Sequence, residues 1–159
     1  MRIGMGFDIH RLVPDRSLVL GGVPIPWPKG LLGHSDADVL LHALCDALLG
    51  AVGAGDIGSY FPDTDPQWKN VSSRIFVEKA LELANRKGLR IANVDLVAIT
   101  EEPKLAPHRR EILQSVAGLL GVKADRVNLK ARTMEGLGPI GAGEAMAAYA
   151  VVLLEEGKS

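Results

Sequence analysis

Between Asp36 and Gly50 the chain leaves almost nothing for water. Val39, Leu40, Leu41, Ala43, Leu44, Cys45, Ala47, Leu48 and Leu49 cover every face of a helix drawn through them, and a helix that is apolar all round is a buried helix. Whatever fold the chain adopts must wrap its other elements around this one. The ionisable exceptions, Asp38, His42 and Asp46, recur every four residues and so form one narrow stripe. Ionisable groups in such a place need partners, because burying them unpaired costs several kcal/mol.

The other elements follow from local signals. Arg2 to His10 reads as a strand with a polar pair at its end. Leu18–Leu20 and Val23–Ile25 flank Gly21-Gly22, a two-residue hairpin turn. A Pro/Gly-rich loop runs from Pro26 to Gly33. Ser35 is placed to cap the apolar helix, with Asp38 three residues on completing a capping-box-like pattern. Ser72 or Ser73 starts a second helix that stops at Gly88, Leu89 to Ile99 is strand-like, and a third helix opens at Pro107 and closes at Gly121. Val127–Arg132 and Glu144–Leu154 read as the last strands, the final one apolar at both parities and therefore expected to be buried on both faces. The order predicts an α+β single domain over residues 1–159: a mixed four-stranded sheet plus a small hairpin, with helices packed on one face.

Composition narrows the class. At 159 residues the chain should bury roughly 70% of its unfolded surface. A net charge of −1 provides no field to recruit nucleic acid or an anionic membrane, so neither is expected as a partner. A polyanionic substrate would need positive charge from the site itself. The lone Cys45 cannot form an internal disulfide, Asp8 and His10 interrupt any signal-peptide core, and the apolar run Ala145–Leu154 is too short to span a bilayer. A soluble, cytoplasmic protein is expected.

The chemistry gathers in a few segments. Residues two apart on a strand share a face, so Asp8 and His10 present a carboxylate and an imidazole side by side. With His42 they would make a three-ligand zinc site whose fourth position stays open, the mark of a catalytic metal. Separately, the same residues read as a solvated turn pair and a hydrogen-bonded core histidine. Asp46 could orient His42 or form a structural pair. His34-Ser35-Asp36 caps the helix and could also receive phosphate at its amino end. Asp56-Ile57-Gly58 and Phe61 to Asp65 offer turn chemistry or acceptors for a polyol. Thr100 to Pro107, with Lys104, is a connector or a rigid cradle for a base and a phosphate; Arg132-Thr133-Met134-Glu135 offers a hydroxyl donor and a carboxylate for a hard cation. Gly136, Gly138 and Gly141 spell G-x-G-x-x-G but lead into a strand, so they are not a dinucleotide fingerprint.

Taken in order, Gly6-Phe7-Asp8-Ile9-His10, His34-Ser35-Asp36-Ala37-Asp38, Leu41-His42-Ala43-Leu44, Gly55 to Gly58, Phe61-Pro62-Asp63-Thr64-Asp65 and Lys130 to Glu135 resemble the successive signatures of the 2-C-methyl-D-erythritol 2,4-cyclodiphosphate synthases. The resemblance implies a phosphorus–oxygen lyase of non-mevalonate isoprenoid biosynthesis, of ferredoxin-like variant fold. Such an enzyme lets the 2-phosphate of 4-diphosphocytidyl-2-C-methyl-D-erythritol 2-phosphate attack the β-phosphorus and expels CMP. It further implies one zinc per subunit on Asp8, His10 and His42, and a magnesium or manganese ion on Glu135. His34 and Thr133 would align the phosphates. Substrate would be held by Ser35, Asp56, Ile57, Gly58, Phe61, Asp63 and Asp65, by Arg132 and Met134, and by Thr100, Pro103, Lys104, Leu105 and Ala106 of a neighbouring subunit in a homotrimer with interfacial sites. The chain departs at Pro139 and Ala142, where many relatives carry an aromatic and a basic residue. A zinc phosphodiesterase and a trimeric zinc-containing binding protein are the alternatives.

Overall fold

A computed structural model describes residues 1–157; Lys158 and Ser159, the end of the expected 1–159 domain, lie outside the described residues. The chain runs β1 (Arg2–Pro14), β2 (Leu18–Leu20), β3 (Val23–Ile25), β4 (Lys29–Leu31), α1 (Val39–Val52), α2 (Ile57–Tyr60), α3 (Arg74–Arg86), β5 (Leu89–Ile99), α4 (Arg109–Leu120), β6 (Val127–Arg132), α5 (Gly138–Gly141) and β7 (Ala145–Glu156). One sheet has the order β4-β1-β7-β5-β6, all pairs antiparallel except β5–β6; β2 and β3 form a separate hairpin. The architecture is α+β, with helices covering one face of a mixed sheet.

The sheet has five strands where four were expected. β1 continues past His10 to Pro14, and its end pairs antiparallel with Lys29–Leu31, inside the segment read as a loop. Gly30 permits this, since a Cβ there would lie 2.4 Å from the Ser17 carbonyl oxygen.

Helix α1 begins at Val39, later than expected. Ala37 takes φ 57°, a left-handed conformation that no helix from Asp36 could pass through. Asp38, not Ser35, is the N-cap, and its carboxylate accepts from Leu41 N. The same carboxylate accepts from Gly21 N and Gly22 N, tying the hairpin to the helix. Burial, the dominant influence, pushes this carboxyl up to about 6 against the pull of the three donors. At the other end, Gly53 at φ 65° closes the helix. Pro107 falls in a 3-10 turn leading into α4 rather than at its first turn.

The decisive packing lies between β1 and α1. A Cβ at Gly4 would sit 1.9 Å from the Ala47 carbonyl oxygen, and one at Gly6 would sit 1.9 Å from the Ala43 carbonyl oxygen. The strand therefore rests its backbone directly on the helix. Side chains alternate along a strand, so Gly4, Gly6, Asp8 and His10 face α1 while Ile3, Met5, Phe7 and Ile9 face away. Opposite them on β7, Met146, Ala148, Ala150, Val152 and Leu154 are buried under the helices, but Tyr149 and Val151 are exposed. The expectation that β7 is buried on both faces holds at Ala145 and Ala147 but fails within the single chain at Tyr149 and Val151. Its outer side joins β1's outer side in an uncovered apolar patch, in which the Phe7 and Tyr149 rings lie 4.7 Å apart.

Gly6→Ala should cost about 3 kcal/mol or more in urea denaturation, because backbone atoms on both sides resist the added methyl. Gly118→Ala, within α4 and with nothing inside 4 Å of its added Cβ, should instead stabilise by about 0.5–1 kcal/mol. Similar effects at the two positions would show that the β1–α1 approach does not govern the packing.

Candidate metal centre and binding clefts

The inward stripe of β1 and the first turn of α1 bring three donor atoms together. Asp8 Oδ2 lies 2.8 Å from His10 Nε2 and 3.0 Å from His42 Nδ1, and the two imidazole nitrogens are 3.0 Å apart. Each group is turned inward by a bond on its other side. Ile9 N donates to Asp8 Oδ1. His10 Nδ1 lies 3.0 Å from the Leu32 carbonyl oxygen, which can only accept, so this nitrogen carries the proton and Nε2 presents a lone pair. His42 Nε2 faces the hydroxyls of Ser73 at 2.8 Å and Ser35 at 3.1 Å.

Burial raises the Asp8 carboxyl, but the hydrogen bonds that His10 and His42 donate when their rings are protonated, with their charge, outweigh it and hold it well below the usual carboxylate range. Burial likewise lowers His10, yet the Asp8 hydrogen bond and charge prevail and leave its pKa raised. Two imidazoles and a carboxylate at these separations suit a borderline divalent metal bound at about 2.0–2.1 Å. Among the described residues, no fourth histidine, cysteine, aspartate or glutamate joins the cluster. The site could hold a metal ion and keep a position for an exchangeable ligand.

The donors lie in a cleft of about 480 Å³ that is also lined by Gly33, His34, Ser35, Ile57, Gly58, Phe61, Pro62, Asp63, Trp68 and Phe76. Phe61 and Phe76, with ring centroids 4.4 Å apart and planes tilted by 38°, form its aromatic wall. His34 donates from Nε2 to the Asp65 carbonyl oxygen at 3.0 Å. Asp46 does not reach His42; its Oδ1 accepts from Ile57 N at 2.8 Å and pins the start of α2 under the cleft. Thr100, Pro103, Lys104, Leu105, Ala106, Arg132 and Thr133 line a second cleft of about 160 Å³ that shares no residue with the first. There Lys104 Nζ donates to the Glu101 carbonyl oxygen, and Glu101 Oε1 accepts from Met134 N.

Asp56, Asp65, Met134 and Glu135 line neither cleft. Asp56 caps α2 through Ser59, Asp65 caps the 3-10 turn at Pro66–Trp68, and Glu135, at φ 51°, accepts from the Thr133 hydroxyl at 3.1 Å. Sequence reasoning missed the cleft residues Trp68 and Phe76. It also missed Ser73, read only as a helix start although it touches His42. Trp68 carries a signal of its own, because its buried indole N–H has no hydrogen-bond partner.

Residues 1–155 match the model of the YgbB family. The chain belongs to that family. It is 62% identical over 156 residues to a 2-C-methyl-D-erythritol 2,4-cyclodiphosphate synthase of Gloeobacter violaceus, covering 98% of this chain and 96% of that one. A solved 2C-methyl-D-erythritol-2,4-cyclodiphosphate synthase in a CDP-bound form is 45% identical, with a TM-score of 0.90 over 97% of this chain and all of that one. The bifunctional IspDF of Campylobacter jejuni gives 40% identity and a TM-score of 0.94; this chain spans 98% of its own length but 42% of that protein. No helix among the described residues is long and apolar enough to cross a membrane.

Metal binding at this site needs His10 neutral, and Asp8 holds His10 protonated past the ordinary imidazole range near 6.5. In the metal-free fold, that raised pKa adds stability that is complete below the unfolded value and lost as pH rises through the folded one. The metal gains what the proton loses. Apparent zinc affinity, measured by chelator competition, should therefore rise with pH through and above about 6.5 before levelling. A flat profile from about pH 6 to 8 would remove His10 from the ligand set.

Proposed function

We propose that this chain converts 4-diphosphocytidyl-2-C-methyl-D-erythritol 2-phosphate to 2-C-methyl-D-erythritol 2,4-cyclodiphosphate and CMP. The observation that carries this reading is the open Asp8–His10–His42 donor set at the floor of a cleft beside His34, in a chain whose relatives bear that enzyme's name. Asp8, His10 and His42 would hold zinc, which when bound neutralises charge developing on the transferring phosphoryl group. Nucleophile and electrophile belong to one substrate, so no protein nucleophile is needed, and the protein's task is alignment. Holding such partners in line is worth about 7–11 kcal/mol of barrier.

His34, anchored through Nε2 to the Asp65 carbonyl, lines the cleft next to the zinc ligands and orients the phosphate. Ile57, Gly58, Phe61 and Asp63 enclose the erythritol, helped by Asp56 and Asp65. Ser35 supports His42 from beneath. The indole N–H of Trp68 supplies a further donor to the bound hydroxyls. Thr133 aligns the diphosphate, Glu135 supports a magnesium or manganese ion on it, and Arg132 and Met134 flank them. Thr100, Pro103, Lys104, Leu105 and Ala106 receive the cytidine. A CDP-bound form of a similar protein supports the cytidine assignment.

The two clefts share no residue within one chain, and this favours a homotrimer in which the second cleft of one subunit completes the first of the next. The patch of Ile3, Met5, Phe7, Ile9, Tyr149 and Val151 supplies the surface for that assembly. Its contiguous apolar side chains, with Ile3 71% and Met5 68% exposed, are what an unpaired interface presents. In this reading the protein is one cytoplasmic domain of ferredoxin-like variant fold.

Phosphorus NMR of the protein with the substrate, zinc and magnesium should show the cyclic diphosphate with equimolar CMP, and chelation should abolish both. Linear phosphates would instead identify a phosphodiesterase. Failure of the zinc-loaded protein to turn over would leave a binding protein. Lys104→Ala should raise KM about tenfold or more with little change in kcat, since an exposed cation contributes uniform binding. A fall confined to kcat would contradict its place at the substrate's phosphate.

A further inference from the structure

Ser73 is fully buried and occupies the N-cap position of α3, yet it makes no side-chain bond to its own helix. Serine at that position ordinarily accepts from the second or third helical N–H. Here its hydroxyl donates to Asp36 Oδ1, and its N–H donates to Asp36 Oδ2 at 3.1 Å. With its only proton committed to the carboxylate, Ser73 Oγ has just lone pairs to offer His42 Nε2 at 2.8 Å. His42 then donates from Nε2, and in the neutral imidazole this leaves Nδ1 as a lone pair facing Asp8 Oδ2 at 3.0 Å and His10 Nε2 at 3.0 Å. Ser35 Oγ lies 3.1 Å from the same nitrogen, 3.3 Å from Ser73 Oγ, and accepts from Ala37 N. With its own proton directed to Ser73 Oγ, it shares the His42 donor without reversing it.

We infer that Asp36 and Ser73 are positioning residues for His42, a carboxylate–hydroxyl–imidazole relay that fixes the tautomer a metal ion requires. The carboxylate reaches the imidazole through an intervening hydroxyl instead of directly. Asp36 is itself held in place, its N–H donating to the Val71 carbonyl and its Oδ1 accepting from Asp38 N at 3.2 Å. The relay thus joins the entry to α1 with the entry to α3. It lies behind the histidine, on the side away from Asp8 and His10. The inference deepens the metal reading and rests on it for the identity of the ligand that His42 receives.

The test uses the metal-free full-length protein. Long-range proton–nitrogen NMR at about pH 8.5, above the ordinary imidazole range, should show His42 protonated at Nε2 and bare at Nδ1. A protonated Nδ1 would overturn the relay without any variant being made. Zinc titration against a chromophoric chelator should then show Ser73→Ala binding zinc roughly 10–100-fold more weakly. Its His42 should become a mixture of tautomers. Ser73→Thr, which restores the hydroxyl, should recover both properties. Asp36→Asn should move both in the same direction as Ser73→Ala but less far, and it decides the matter should Ser73→Ala not fold. A folded Ser73→Ala protein with zinc affinity within about twofold of the parent and an unchanged tautomer would also overturn it. A parent protein that shows the Nε2–H tautomer but takes up no zinc would defeat the metal reading and leave the relay standing.

Discussion

The rest of the molecule depends on how closely β1 lies against α1. Gly4 and Gly6 let the strand backbone touch the carbonyl oxygens of Ala47 and Ala43, an approach that any side chain would prevent. The glycines share their face of the strand with Asp8 and His10, so the contact that seats the strand also aims the carboxylate and imidazole at the helix. Ala43 and Ala47 answer from the helix side, and His42 stands one residue before the first of them. With larger residues at those positions the strand would lift away, and three donor atoms now about 3 Å apart would separate beyond the reach of one ion.

The alternation that places these donors has a second consequence. Every residue between them on β1 points the other way, and Ile3, Met5, Phe7 and Ile9 are all apolar. Site and apolar patch are therefore two faces of one strand. The patch does not extend over the whole sheet. On β5 and β6 the outward positions carry Asp95, Asn128 and Lys130 beside Val97 and Ile99, and Asp95 pairs with Lys130 at 2.6 Å. The outer face thus turns polar toward β6 and stays apolar over β1 and β7.

Much of this was legible in the sequence, for identifiable reasons. The apolar helix, the Gly21-Gly22 hairpin and the strands Leu89–Ile99 and Val127–Arg132 rest on local patterns, and these agree with the structure. The pairing of Asp8 with His10 followed from strand geometry alone. What could not be read depended on contacts distant in sequence. β4 exists only because β1 overruns His10 and offers an edge. Helix α1 starts at Val39 because Ala37 takes a left-handed turn, which its residue type does not announce. Asp46 lies on the His42 stripe by spacing, but α2 brings Ile57 N within its reach first. Ser73 looked like an ordinary helix cap. Only the structure shows its hydroxyl diverted to Asp36, 37 residues away.

The centre also explains how a protein of net charge −1 handles a polyanion. The Leu32 carbonyl takes the outer proton of His10, and Ser73, held by Asp36, takes that of His42. With both imidazoles neutral and so oriented, three acceptor atoms face one another across about 3 Å. Such an arrangement is unfavourable until a cation enters it. In the metal-free protein a proton serves, and this is why Asp8 and His10 shift in opposite directions. A divalent ion held by Asp8, His10 and His42 would serve better, since it would meet all three acceptors at once. In the proposed reaction the positive charge would be confined to the point where phosphate binds. The surface needs no excess of lysine and arginine, and two of its basic groups, Lys104 and Arg132, line the second cleft. The preference for a cation is built from the outward hydrogen bonds as much as from the ligands themselves.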